Sequence, residues 1–309
     1  MDIYSTWQGV GEKHKDIVVG LGNFDGIHVG HQRLIAGLVG EAEKIGGTPA
    51  VFTFYPHPLE VLVGKAPPRL LSQQAKQETF RQLGVRLLLQ VPFTLEFASR
   101  TPDSFIEEVL VRDLKIRSVF VGYNYTFGQG GRGNPETLIE GGRRHGFNVF
   151  IIPPVTVDGV PVSSTLIRGL LADGEVYEAR KYLGYYPFVE GEVVAGDSRG
   201  KSLGFPTANL NLEEGLTVPA NGVYAVKVQV DGDHYLGVAN IGIKPTFQGF
   251  GAVPNLEVHL LDFHSDLYGK RLKVFFTRRI REEKRFSSPG ELVEQIRMDI
   301  SRARAALTD

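Results

Sequence analysis

Two histidines three residues apart, His28 and His31, end the segment GNFDGIHVGH at 22–31. An apolar run, IVVGL, stands just before it at 17–21, and a stretch of helical periodicity follows. The pair is therefore expected at the start of a helix, where free backbone N–H groups and the positive end of the helix dipole favour phosphate. Side chains three apart on a helix are neighbours, so both imidazoles can reach the same space. Gly30, between them, lets backbone come close to a ligand. Such a set suits an α-phosphate under attack with pyrophosphate leaving, where an enzyme mainly positions groups and stabilises charge. Two other readings stand beside this one. A zinc pair would need a third ligand, for which His57 is the nearest candidate, and the two could be ordinary surface histidines. A dinucleotide fingerprint fails, because Gly20 and Gly22 begin one but its third glycine position holds Asp25.

A second stretch, GDSRGKSLGFPTANL at 196–210, contains a false lead. Gly200-Lys201-Ser202 looks like the end of a Walker loop, but the first glycine of that loop would fall on Ala195. Such a loop also runs into a helix, and Gly204 and Pro206 break one. Further on, alternation sends Leu256, Val258 and Leu260 to one face of a strand and Glu257 with His259 to the other. Taken alone, Glu257 is an ordinary surface glutamate, and His259 reads as structural. Pro56-His57-Pro58 could be a stiff loop or part of a site. Ser163, Ser164 and Thr165 could cap a helix starting near Leu166, bind phosphate, or do both. Asp25 could hold turn backbone or take a catalytic or metal role.

The elements that must position these residues fall into two halves. In the first, strand-like runs at 17–21, 50–54, 85–91, 118–121 and 148–152 alternate with helical stretches at 31–44, 72–83, 101–110 and 135–145. That alternation predicts α/β architecture, a parallel sheet covered on both faces. After about Gly184 the runs at 189–195, 222–230, 234–241, 256–263 and 271–277 are separated by turns rather than helices. Asp231-Gly232 is a hairpin signal between two of them. This predicts an all-β second domain, a small antiparallel barrel or sandwich. A closing helix capped by Ser288 should bury Leu292, Ile296, Ile300, Ala303 and Leu307 as one stripe. The domains are expected at 1–184 and 185–309, in keeping with 309 residues at a soft ~150 per domain. A fragment starting near residue 185 is expected to fold alone.

Composition narrows the function classes. Lys and Arg total 34 against 35 Asp and Glu, which argues against a nucleic-acid binder relying on a globally basic surface. No apolar run approaches the ~18 residues of a membrane span. The opening MDIYSTWQGVGEKHKD lacks a basic start followed by an apolar core, so no secretory signal is expected. The absence of cysteine removes disulfides, Cys-ligated zinc, iron–sulfur clusters and thiol catalysis, and fits a reducing compartment. A soluble, cytoplasmic chain without nucleic-acid or membrane partners is the expectation. The 37 glycines exceed the roughly 7% average and cluster in short loops.

The segment GNFDGIHVGH resembles the nucleotidylyltransferase signature of bacterial bifunctional riboflavin kinase/FAD synthetases. TFYPHP at 53–58, VGYNYTFGQGGRG at 121–133 and VSSTLIRGLL at 162–171 are similar to further elements of that half. GFPTAN, with NGVYAV, GVANIGIKPTF, LEVHLLDF and DLYGKRLKVFF around it, resembles the riboflavin kinase module. The resemblance implies a Rossmann-like nucleotidylyltransferase domain followed by a kinase barrel. It implies that riboflavin and ATP become FMN, and that FMN and ATP become FAD with release of pyrophosphate. ATP is then a substrate, Mg²⁺ the expected metal, and no prosthetic group is needed; riboflavin, FMN and FAD are the other partners. In the first half it implies phosphate-binding roles for Gly22, Asn23, Phe24, Asp25, Gly26, Gly30, Ser163, Ser164, Thr165 and Arg168, with His28 and His31 catalytic. Pro56, His57, Pro58 and Asn124 fall to flavin or nucleotide. In the second half Gly200, Lys201, Gly204 and Pro206 fall to ATP. Thr207 and Asn209 offer Mg²⁺ hard oxygen ligands, and Glu257 becomes the base that accepts the riboflavin 5′-hydroxyl proton. Asn124 stands where many members have Asp, and Leu166 where many have Arg; Arg168 keeps one cation.

Overall fold

The computed structural model describes residues 1–196, 200, 203–244 and 253–308. The chain forms two compact units, residues 1–67 with 73–162 and residues 68–72 with 163–309.

The first unit is built on six parallel strands: β1 (Asp2–Tyr4), β2 (Ile17–Leu21), β3 (Thr48–Phe54), β4 (Leu87–Val91), β5 (Ile116–Gly122) and β6 (Asn148–Ile152). Their order across the sheet is β1-β4-β3-β2-β5-β6. Strand β2 is buried along its whole length, as a strand covered on both faces must be. The chain runs from β2 outward to β3 and β4, then returns to β5 on the other side of β2. That reversal creates a switch point, and in open parallel sheets ligands bind outside the carboxyl ends of the strands there. The segments after β2, β3 and β5 carry GNFDGIHVGH, Pro56–Pro58 and Asn124, so the sheet brings the three motifs to one edge.

Helices α1 (Val29–Ile45), α3 (Gln73–Gln82) and α5 (Pro135–His145) follow the periodic stretches, the short α2 (Pro58–Val63) was not anticipated, and α4 (Phe105–Asp113) continues from a cap at Thr101 as a π-helix. Helix α1 buries Leu34, Ile35, Leu38 and Ala42. The three-residue β1 pairs with β4 at the sheet edge and is too short to leave a periodic signal. A two-residue hairpin, β7 (Thr156–Val157) and β8 (Val160–Pro161), completes the unit.

The second unit is a closed antiparallel barrel, confirming the all-β expectation. Its strands are β9 (Phe188–Val194), β10 (Ala208–Leu212), β11 (Gly222–Val230), β12 (Asp233–Lys244), β13 (Val253–Leu260) and β14 (Arg271–Arg281), in the order β10-β13-β12-β11-β14-β9. Asp231 and Gly232 both take positive φ, and Val230 pairs with Asp233 across the expected hairpin turn. Strand β10 was not anticipated, because Ala-Asn-Leu-Asn-Leu has no β-branched residue. Two helices, α6 (Ser164–Ala172) and α7 (Val176–Leu183), also belong to this unit. Arg279 of β14 reaches the end of α6, its Nη1 donating to the Asp173 carbonyl, while its Nη2 donates to that of Asn221.

The closing helix α8 (Pro289–Thr308) is capped by Ser288, whose Oγ accepts from Glu291 N. Its packing face departs from the apolar stripe. Gln295, Asp299 and Ala303 are buried, whereas Leu292, Ile296 and Ile300 are only half-buried. Asp299 receives Nε and Nη2 of Arg281 and Nε2 of Gln295. A buried carboxylate met by three donors is satisfied, and this polar clasp displaces the apolar line.

Candidate active sites

The residues after β2 fold into a strained loop. Phe24 and Ile27 take φ of 49° and 36°, and Gly26 takes 76°. A positive φ is costly for a large side chain, and more so for a β-branched one. Burial holds both: the Phe24 ring packs edge-on against Phe80, and Ile27 is fully buried with its carbonyl bonded by Gln32 Nε2. The loop delivers His28 to the N-cap of α1, where its Nδ1 accepts from the His31 backbone N–H. A neutral ring accepting at Nδ1 carries its proton on Nε2.

The imidazoles of His28 and His31 stack with centroids 3.7 Å apart and planes 14° from parallel. Burial pulls the His28 pKa down to about 4, against weaker opposing effects of its backbone bond and Asp25. Burial, then the His28 and Lys76 charges, hold His31 well below the usual histidine range. Both rings are therefore neutral at pH 7. His31 Nδ1 is buried with no hydrogen-bond partner among the described residues. A Cβ at Gly30 would lie 3.2 Å from the His28 ring, close enough that the ring would have to give by a few tenths of an ångström. Among the described residues no group of three or more His, Cys, Asp or Glu could hold a metal ion, so the zinc reading finds no third ligand.

His57 caps α2, its Nδ1 accepting from Leu59 N and Pro58 standing at the first helical turn. Its Nε2 lies 3.4 Å from Asn23 Nδ2, which ties the segment after β3 to the loop after β2. Asn124 is exposed just beyond β5. Lys76 of α3 escaped the sequence reading. Its buried Nζ donates to the Asn23 carbonyl at 2.6 Å and to Thr53 Oγ1 at 3.1 Å. Ser163, Ser164, Thr165 and Arg168 lie in the second unit. Ser163 caps α6 by accepting from Leu166 N, and Arg168 Nε donates to the Pro68 carbonyl.

In the barrel, Asn209 of β10 and Asn240 of β12 both pair directly with Glu257 of β13. Residues directly opposite in a sheet share a face, so these three form one row. Leu256, Val258 and Leu260 are buried while Glu257 and His259 are half-exposed, as alternation predicts. Asn255 Nδ2 donates to Glu257 Oε1 at 2.8 Å. Asn209 is buried, and among the described residues its Oδ1 has no hydrogen-bond partner. A Cβ on Gly196 would overlap the Asn209 amide, so a larger residue there would have to move it. Thr207 is half-buried two residues before Asn209. His259 keeps its structural reading: its Nδ1 donates to the Pro206 carbonyl and its ring meets Phe205 edge-on. The Gly200 carbonyl accepts from the N–H groups of Leu203 and Phe205, and Gly204 forms the exposed turn. Lys201 lies outside the described residues.

A buried amide oxygen without a hydrogen-bond partner among the described residues, two positions after a half-buried threonine, fits a hard divalent cation, which takes neutral oxygens together with phosphate oxygens. Asn255 could have been suspected, since a residue two before Glu257 on a strand shares its face. Asn240 and Gly196 carried no signal beyond the segments that contain them.

A family model described as FAD synthetase matches residues 10–166, and one described as riboflavin kinase matches residues 183–307. The bifunctional riboflavin kinase/FMN adenylyltransferase of Bacillus subtilis (strain 168) is 39% identical over 293 residues, covering 93% of this chain and 92% of that protein. The protein of the same description from Escherichia coli (strain K12) is 40% identical over 289 residues, covering 93% and 91%. A crystal structure from Streptococcus pneumoniae, described as a macrolide-efflux protein, superposes with a TM-score of 0.90 at 33% identity, covering 98% of both chains. Among the described residues of this chain no helix is long and apolar enough to cross a membrane.

Proposed function

The chain belongs to the bifunctional riboflavin kinase/FMN adenylyltransferase family, and from that premise we propose how its residues divide two reactions. It phosphorylates riboflavin with ATP to FMN and adenylylates FMN with ATP to FAD, releasing pyrophosphate. The division of labour at 184/185 is supported by matched regions that end at 166 and begin at 183.

In the kinase reaction the riboflavin 5′-oxygen attacks the γ-phosphorus and ADP leaves. Glu257 accepts the hydroxyl proton. Asn255 Nδ2 donates to Glu257 Oε1 and so holds the carboxylate in place. Thr207 and Asn209 would hold Mg²⁺, which when bound neutralises phosphate charge and polarises the transferred group. Gly200, Lys201, Gly204 and Pro206 form the ATP side of this site. The observation that carries the reading is the row Asn209–Glu257–Asn240, which sets a carboxylate beside an unpartnered amide oxygen on one face of the barrel.

In the adenylyl transfer an oxygen of the FMN phosphate attacks the α-phosphorus and pyrophosphate leaves. The nucleophile is already ionised at pH 7, so no base is required. His28 contributes its Nε2–H and His31 its second ring nitrogen to the charge that develops. The rings begin neutral, and negative charge arriving beside the stacked pair favours one further proton on it. Gly22, Asn23, Phe24, Asp25, Gly26 and Gly30 shape the phosphate loop. Ser163, Ser164, Thr165 and Arg168 are assigned to ATP phosphate, and Pro56, His57, Pro58 and Asn124 to the flavin or nucleotide. Cytoplasmic action without nucleic acid is consistent with balanced charge, absent cysteine and ATP as substrate.

Glu257→Gln tests the kinase reading. Turnover of riboflavin should fall by roughly 10²–10⁴, the usual worth of general-base catalysis, with little change in riboflavin binding. Near-normal turnover would return Glu257 to the barrel surface.

A further inference from the structure

Lys76 is a charged side chain buried beneath the loop that carries the paired histidines. Burying an ammonium costs several kcal/mol unless hydrogen bonds offset it, so what it bonds to is informative. Its Nζ reaches the Asn23 carbonyl at 2.6 Å and Thr53 Oγ1 at 3.1 Å, and Thr53 Oγ1 donates to the same carbonyl at 3.3 Å. Helix α3, strand β3 and the loop after β2 thus meet at one carbonyl oxygen with two donors on it. A backbone carbonyl has two lone pairs, so this oxygen cannot turn without breaking a bond.

The Asn23–Phe24 peptide is trans. In a planar trans peptide the C=O and the following N–H point in opposite directions. Holding the Asn23 carbonyl toward the buried ammonium therefore turns the Phe24 N–H away from it. We propose that Lys76 is a positioning residue for adenylyl transfer, acting through the Asn23 carbonyl to aim the Phe24 N–H at a phosphate of ATP. This rests on the reading of the loop as the triphosphate site. The ammonium adds a second effect, since its positive charge lies close to His31 and complements an anion bound over the loop.

The test is steady-state FAD formation from supplied FMN and MgATP by the full chain. Lys76→Met keeps the length of the side chain and removes its donors. The KM for ATP in FAD formation should rise about ten- to a hundredfold, the usual worth of a charge-assisted hydrogen bond at phosphate. The KM for ATP in FMN formation should stay unchanged, and Lys76→Arg should recover part of the loss. An unchanged KM would overturn the proposal, as would a fall in kcat alone, which signals a smaller folded fraction. If Lys76→Met does not fold, Thr53→Val decides: it removes the other donor, and a raised KM for ATP supports the proposal while parental kinetics overturn it. His28→Ala is assayed in parallel. Should it still make FAD at the parental rate, the loop reading fails; should it fail to make FAD while Lys76→Met is normal, only the role of Lys76 falls.

Discussion

Acidification should destabilise the first unit through His28, and the size of the effect follows from its burial. An unfolded histidine has a pKa of 6.5, and burial brings that of His28 to about 4. Between those values the unfolded chain holds a proton that the folded chain refuses. The depressed pKa therefore contributes stability that is fully present above pH 6.5 and is lost as pH falls toward about 4. At roughly 1.4 kcal/mol per pH unit the interval corresponds to about 3 kcal/mol, more than half of it lost by about pH 5. That is a large share of the roughly 5–15 kcal/mol that holds a domain together. His31 is shifted in the same direction and adds to the effect. The assay can be confined to the first unit, because the single tryptophan, Trp7, packs there against Phe97 with Arg100 over its ring. Urea unfolding followed by tryptophan emission, at several pH values, would compare the parent with His28→Gln, which cannot ionise. The parent should lose about 3 kcal/mol more than the variant over the window. Parallel curves would refute the claim that His28 is held neutral by burial.

Three further outcomes follow from the packing. Gly196→Ala should push the Asn209 amide aside and lower FMN formation, while FAD formation from FMN is unaffected. Gly30→Ala should displace the His28 ring and reduce FAD formation alone, measured against FMN formation in the same preparation. A fragment 163–309 should unfold at higher urea than a fragment 185–309, because the shorter piece lacks the helices that bury Leu171, Val176, Ala179 and Leu183 and receive Arg279. Equal midpoints would show that those helices contribute nothing to the barrel.

Much of this was legible because local chemistry and pattern agree. Ile17–Leu21 is apolar throughout and becomes a central parallel strand, and Asp231-Gly232 becomes a hairpin turn. His28 at a helix start and Glu257 opposite an apolar strand face follow from spacing alone. What stayed hidden depends on contacts distant in sequence. Lys76 stands in the polar run QQAKQETFRQ and looks like a solvated helix residue until Asn23 and Thr53 surround it. Asp299 and Gln295 replace the expected apolar stripe because Arg281, on another element, supplies the counter-charge. Asn240 joins Glu257 only through strand register, which no local signal fixes. The neutral state of the paired histidines is a matter of burial and could not be read from their spacing.

The two reactions are assigned to separable sets of residues in one chain. Glu257→Gln and His28→Ala, each supplied with riboflavin, ATP and Mg²⁺, would be assayed singly and as an equal mixture, with FMN and FAD separated. Glu257→Gln should make almost no FMN from riboflavin but convert supplied FMN to FAD. His28→Ala should accumulate FMN without FAD. The mixture should make FAD from riboflavin, the FMN released by one variant being adenylylated by the other. A mixture no better than its components, or a single change that abolishes both reactions, would contradict the account.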